Sequence, residues 1–152
     1  MYRKGVSALI INNNNEFLLV NLNSFEDQFF AIPGGGVEED ESLEDAVYRE
    51  IMEELGIKVE SLELIGKDDA PLKYSFKNPK IKNGIEIIGS ERYFFGFRFI
   101  GDESEIRLQE DEVRVYKWVK FSDLDKYLLF DGQLEETLDK VFGIFPEFEK
   151  SK

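Results

Sequence analysis

The sequence predicts an α/β domain in which a mixed β-sheet is sandwiched between α-helices. Three observations predict it. Apolar, β-branched or aromatic runs at 6–11, 17–20, 93–100 and 113–119 read as strands. One amphipathic stretch from Leu43 to Leu55 lies between them with helical spacing. A second, with Leu134, Leu138, Val141, Phe142 and Phe145 on one stripe, follows the last strand. Helices placed both between and after strands imply a sheet covered on two faces. The 152 residues contain no internal repeat, linker or break in composition, so a single domain over 1–152 is expected.

The elements follow in order. Residues 6–12 form a strand, Asn12 to Asn15 a turn, since Asn tolerates left-handed backbone angles, and Glu16 to Leu22 the partner strand of a hairpin. A polar loop at 23–28 leads to a short strand at 29–32, ended by Pro33 and the triplet Gly34, Gly35 and Gly36. Ser42 caps the first helix, with Asp45 three residues on as its capping-box partner, and Gly56 stops it. Strand residues recur at 57–65. Leu72, Tyr74 and Phe76 share one face of the next strand, and 77–84 reads as a mostly polar connection. The run from Tyr93 to Ile100 reads as a central strand, 101–111 as an acidic loop, and 113–119 as a further strand. Ser122 caps a short helix reaching Leu129, and Asp131 starts the last helix, which Pro146 ends. The tail from Glu147 to Lys152 is expected to fray.

Composition narrows the chemistry. No apolar run approaches a membrane span, and residues 6–11 are too short an apolar run for a signal peptide, so the expected setting is the cytoplasm, with no membrane partner. The chain has neither cysteine nor histidine, which removes thiol and imidazole chemistry. Any metal must be held by oxygen, which favours Mg²⁺ or Mn²⁺ over zinc. A net charge of −13 argues against tight non-specific nucleic-acid binding but leaves room for a small phosphorylated nucleotide. A homodimer is compatible with the chain.

The densest feature lies between Glu38 and Glu54, where nine acidic residues accompany one base, Arg49. On a wheel of about 100° per residue, Leu43, Ala46, Val47, Ile51 and Leu55 form the inward stripe. Glu50 and Glu54 fall inside it and Glu53 on its border, whereas Asp45, Tyr48, Arg49 and Met52 fall on the solvated side. Partly buried, unpaired carboxylates are costly. Arg49 alone does not neutralise three or four of them; a divalent cation does. The glycine triplet just upstream lets backbone N–H groups approach an anion.

Without a gap, the stretch from Gly35 to Ile57 resembles the Nudix box, G-x5-E-x7-R-E-U-x-E-E-x-G-U with U aliphatic. Gly35, Glu41, Arg49, Glu50, Ile51, Glu53, Glu54, Gly56 and Ile57 match every defined position. The resemblance implies the Nudix fold and hydrolysis of a diphosphate linkage by substitution at phosphorus. It implies Glu50, Glu53 and Glu54 as ligands of Mg²⁺ or Mn²⁺, Arg49 as a holder of box carboxylates, and Glu41 as their support. The base varies within the family. Here Glu53 and Arg49 carry catalytic roles by the box, and Glu112, six residues before Trp118, resembles the loop glutamate of the branch that contains RNA 5′-pyrophosphohydrolases and dinucleoside-polyphosphate hydrolases.

Scattered features are similar to that branch: Tyr2-Arg3-x-x-Val6, the aromatics Tyr74 and Phe76, and Glu105-Ile106-x-Leu108 before the acidic loop. Gly34 stands where the branch usually has Gln, and Asp40 where a glycine is common. Asp40 and the stretch from Gly96 to Phe99 are also similar to GDP-mannose hydrolases, and nucleoside triphosphate pyrophosphatases are a further alternative. Arg92, Lys67 and Lys73 are candidates for distal phosphates, though each also reads as an ordinary surface cation. Tyr74, Phe76 and Tyr93 are candidates for base stacking, with core packing as the competing role. The expectation is a Mg²⁺-dependent enzyme acting on a nucleoside or dinucleoside polyphosphate. A non-catalytic Nudix-like binding domain usually lacks box glutamates, all present here, and a Ca²⁺-binding module would place its ligands on an Asp/Asn-rich loop.

Overall fold

The computed structural model describes residues 1–151. Strands β1 (Tyr2–Ile11), β2 (Glu16–Leu22), β3 (Gly34–Gly36), β4 (Leu62–Lys67), β5 (Leu72–Lys82), β6 (Ile85–Phe99) and β7 (Val113–Lys120) form one sheet. Its order is β4-β6-β1-β2-β7, with β3 on β1 and β5 on β6. The sheet is mixed because β1 and β6 run parallel, in register from Tyr2 opposite Gly89 to Ile11 opposite Arg98, while the other pairs are antiparallel.

Alternation along the strands sends side chains to two cores. Val6, Ala8 and Ile10 with Phe95, Phe97 and Phe99 pack under helix α1 (Leu43–Leu55). Leu9, Ile11, Phe17 and Phe94 pack under helix α2 (Gln133–Ile144) through Val141, Ile144 and Phe145. Two helices on opposite faces of a mixed sheet are the expected architecture. Among the described residues no helix is long and apolar enough to cross a membrane.

Several local expectations change. Residues 29–32 contribute only an isolated bridge, Ala31 to Val20, and the glycine triplet itself is the strand, paired with residues 5–7 of β1. The polar segment 77–84 is not a connection. It continues β5 and turns into β6 through Asn83 (φ 53°) and Gly84 (φ 77°), an Asn-Gly pair of the kind that closes two-residue hairpins. Pro79 is tolerated there because the β5–β6 register shifts between Ser75 and Lys80. The region before β4 is a 3-10 turn, Val59–Ser61, and the segment after β7 is another, Phe121–Lys126, rather than a helix capped by Ser122. The tail does not fray as far as it is described. Pro146–Ser151 forms a further 3-10 turn that buries Phe148 against Phe17, Phe121 and Phe145, so aromatic packing holds it; Lys152 lies outside the described residues.

Candidate active site

Helix α1 starts where Ser42 Oγ accepts the Asp45 N–H at 3.0 Å and ends at Gly56 in the left-handed conformation (φ 70°). Its inward stripe buries Ala46, Val47, Ile51 and Leu55, and Glu54 goes in with them at 2% exposure. The Glu50 side chain is nearly buried and that of Glu53 is half exposed, in the order the wheel predicts. Two residues depart from their expected solvated side. Tyr48 packs edge-on against Phe97, and Arg49 folds back over the loop before the helix.

The guanidinium of Arg49 organises the carboxylates. Nε and Nη2 donate to the two oxygens of Glu41 at 2.7 and 2.9 Å, Nη1 to Glu50 at 3.0 Å and Glu53 at 3.3 Å, and Nη2 also to the Gly36 carbonyl at 2.9 Å. Glu41 also accepts the Glu38 N–H at 2.9 Å. Donation from Arg49, then from that N–H, lowers the Glu41 pKa to about 2. Arg49 is raised in turn, chiefly by its bond to Glu41.

Strand β3 brings glycine backbone against the helix. Gly34 donates its N–H to Glu54 Oε1 at 3.0 Å. A Cβ at Gly34 would lie 2.1 Å from the Val6 carbonyl, so that position requires glycine, and one at Gly35 would lie 2.3 Å from the Glu50 carboxyl carbon and displace that carboxylate. Burial raises the pKa of Glu54 to about 8, reinforced by the charges of Glu50 and Glu112. Burial likewise raises Glu50, with Glu53 and Glu112 adding to the effect and Arg49 opposing it.

The acidic loop is stitched to the end of α1: Arg107 N–H donates to the Leu55 carbonyl at 2.7 Å and Gln109 N–H to the Glu54 carbonyl at 3.2 Å. With its amide nitrogen turned inward, Gln109 bridges Glu112 Oε2 at 3.2 Å and the Glu53 carbonyl at 3.3 Å. Glu112 is thereby held beside the end of α1, where its charge acts on Glu50 and Glu54. Nothing but the position of Gln109 in the loop, three residues before Glu112, marks it in the sequence.

Arg92 is no surface cation. Its Nη1 donates to the Val6 carbonyl and Ser7 Oγ, both at 2.9 Å, and burial lowers its pKa while Glu54 and Glu50 oppose the shift. With Gly34 it lines a cleft of about 440 Å³ whose wall also includes Tyr74, Phe25, Phe130 and Gln133. Tyr74 lines this cleft, its hydroxyl bonded to Glu136. Tyr93 does not: it packs on the α1 side and bonds Glu91 at 3.0 Å. Lys67 lines a separate groove beside Ser42 and Leu43, Lys73 lies over the Tyr2 ring, and Phe76 lies under Lys80. Phe25, Phe130 and Gln133 were not legible as site residues, since loop and helix-entry positions gain meaning only when α2 docks.

The donor set fits a hard divalent cation: all oxygen, two desolvated carboxylates whose pKa values are raised, and one arginine shared among four acids. Among the described residues no three acidic groups converge as a ready cage, because Glu50 and Glu53 both face Arg49.

A family model for the NUDIX domain matches residues 1–141. The chain belongs to the Nudix family. An RNA pyrophosphohydrolase of Thioalkalivibrio sulfidiphilus is 35% identical over 125 residues, which are 79% of this chain and 71% of the relative. An RNA pyrophosphohydrolase of Caulobacter vibrioides is 44% identical over 85 residues, 53% of this chain and 47% of the relative, so that match spans about half the relative's length. The E. coli dihydroneopterin triphosphate pyrophosphohydrolase structure covers 94% of this chain and 99% of its own with a TM-score of 0.69; at 18% identity it shows the fold alone. The Nudix chain is a pyrophosphohydrolase whose reaction class is hydrolysis of a diphosphate linkage in a nucleotide derivative. Enzymes of the family generally use divalent cations.

Proposed function

We propose that this Nudix enzyme uses Mg²⁺ (or Mn²⁺) to hydrolyse a nucleoside polyphosphate, with a triphosphorylated RNA 5′ end and a dinucleoside polyphosphate as preferred forms. The observation that carries the proposal is the buried Glu54, bonded to the N–H of Gly34, which with Arg92 lines the cleft. The names of the two RNA pyrophosphohydrolase relatives support the substrate class.

Glu50, Glu53 and Glu54 would hold the cation. When bound, it supplies charge neutralisation at the phosphate oxygens and a lowered pKa for the attacking water. Arg49 keeps Glu50 and Glu53 oriented, with Glu41 fixing the guanidinium. The bare backbone at Gly34 and Gly35 lets β1 and the Glu50 carboxylate pack directly against β3, and Arg92 supplies positive charge to the cleft that receives the phosphates. Glu112 takes the proton of the water as its oxygen bonds to phosphorus and the bridging P–O bond breaks, the electron pair leaving with the departing phosphate. Tyr74 and Phe130 border the nucleoside end of the cleft.

The test is a product screen with Mg²⁺ across triphosphorylated RNA, dinucleoside polyphosphates, nucleoside triphosphates, nucleotide sugars and ADP-ribose. Phosphate or pyrophosphate release from the polyphosphates at the highest kcat/KM is expected. Turnover confined to nucleotide sugars would overturn the substrate assignment, and no turnover of any compound would leave a binding domain.

A further inference from the structure

The β5–β6 hairpin carries a charge pattern that the chemistry above does not use. Residues 72–88 hold four lysines, Lys73, Lys77, Lys80 and Lys82, against the single acid Glu86, in a chain whose net charge is −13. All four lysines are exposed. Among the described residues none of them forms a salt bridge. Aromatic rings are interleaved: Lys80 Nζ lies 5.1 Å from the centroid of Phe76, Lys73 Nζ 4.2 Å from that of Tyr2, and Tyr74 is 43% exposed.

The hairpin continues the cleft. Leu72 and Tyr74 at its base line the cleft, and Leu72 pairs with Arg92. From there it runs past the start of β1, whose Tyr2 pairs with Gly89. At about 3.3 Å per residue, Lys80, opposite Ile87, lies roughly 15–20 Å from Arg92. Lysine on an edge strand also discourages strand addition. That explains the charge on β5 but not the interleaved rings or the path from the cleft mouth.

We propose that this hairpin binds the single-stranded RNA that follows a 5′ end held in the cleft, its lysines meeting phosphates and Tyr74 and Phe76 stacking on bases. The proposal rests on the polyphosphate reading of the active site. It reconciles an acidic protein with an RNA substrate: the body repels nucleic acid, and one basic arm admits a single strand led by its 5′ terminus.

The experiment measures fluorescence anisotropy of a labelled 5′-monophosphorylated single-stranded RNA, which keeps binding separate from hydrolysis, over a salt series. Each lost single-strand phosphate contact lowers the slope of log K against log salt by about 0.7. The triple variant K77Q/K80Q/K82Q is therefore expected to lose about 2 from that slope, and K77Q alone about 0.7. Lys58→Gln, on the exposed C-terminal side of α1, leaves the slope unchanged. In parallel, the ratio of kcat/KM for triphosphorylated RNA to that for the free nucleoside triphosphate falls in the triple variant. An unchanged slope and ratio overturn the proposal while leaving the hydrolytic reading intact. Slope loss in a protein that hydrolyses no polyphosphate overturns the hydrolytic reading and leaves the arm. A triple variant that changes sedimentation but not RNA affinity identifies the hairpin as a protein contact and also overturns the proposal.

Discussion

Arg49 grips Glu41 through two parallel hydrogen bonds, Nε to Oε2 at 2.7 Å and Nη2 to Oε1 at 2.9 Å, while Nη1 donates to Glu50 and Glu53. A lysine does not reproduce that fork. R49K is expected to reduce activity about 10–100-fold, the usual effect of losing a group that orients metal ligands. Steady-state kinetics with a Mg²⁺ titration checks it; wild-type values would remove Arg49 from the site. Glu41 also keeps its charge down to about pH 2 against 4.5 for a free glutamate. Its contribution to stability is therefore present above pH 4.5 and lost as pH falls through 2.

Glu54 behaves in the opposite sense. In the metal-free protein it holds its proton up to about pH 8, whereas the unfolded chain releases it near 4.5. The native state binds the extra proton between those values, so stability is highest below pH 4.5 and declines as pH rises through 8. E54Q is expected to abolish that decline and to stabilise the metal-free protein at pH 8, while lowering turnover by about 10²-fold or more. Urea unfolding at several pH values and a rate assay test the two halves separately. A variant with unchanged stability and activity would sink both.

Gly35 bears directly on Glu50. A methyl group there would meet the carboxyl carbon at 2.3 Å, forcing Glu50 away from its position. G35A is expected to fold with a loss of about 1–3 kcal/mol and to be at least as impaired in turnover as R49K. Circular dichroism melting and kinetics decide it, and full activity would show that Glu50 has no fixed place in the reaction.

Asp40 adopts a left-handed backbone, φ 64°, just before Glu41. Such a conformation costs an L-residue about 1–2 kcal/mol, somewhat less for aspartate. D40G is expected to raise stability by up to about 1 kcal/mol without altering kcat. Thermal unfolding measures it, and a lowered Tm would show that the Asp40 side chain contributes more than its backbone strain costs.

The box glutamates were legible because helical spacing and the apolar stripe together fix which carboxylates point inward. Glu112 carries no such local signal in its acidic loop; only its resemblance to the loop glutamate of the family branch singles it out. The depth of Arg92 was not legible: its burial depends on β6 lying parallel to β1, a pairing of residues far apart in sequence that local pattern does not encode. The β5–β6 hairpin did carry its own signal, Asn83-Gly84. Polar and charged residues around it masked the signal because that arm has no core face to impose alternation. Phe148 was hidden for the converse reason, since a single aromatic in an acidic tail says nothing until the cavity it fills exists.

The parallel pairing of β1 with β6 also bears on how the protein is made. Its N-terminal strand meets β2 within the first 22 residues, yet its other edge stays open until residues 89–98 have been synthesised. During that interval the apolar segment from Val6 to Ile11 exposes an unpaired edge, the feature most prone to intermolecular association. The β1–β6 ladder closes that edge and sets the Arg92 guanidinium on the Val6 carbonyl, 86 positions away. The nascent chain therefore passes its greatest aggregation hazard once β6 is made, while its ligand cleft waits for Phe130 and Gln133 at the entry to α2.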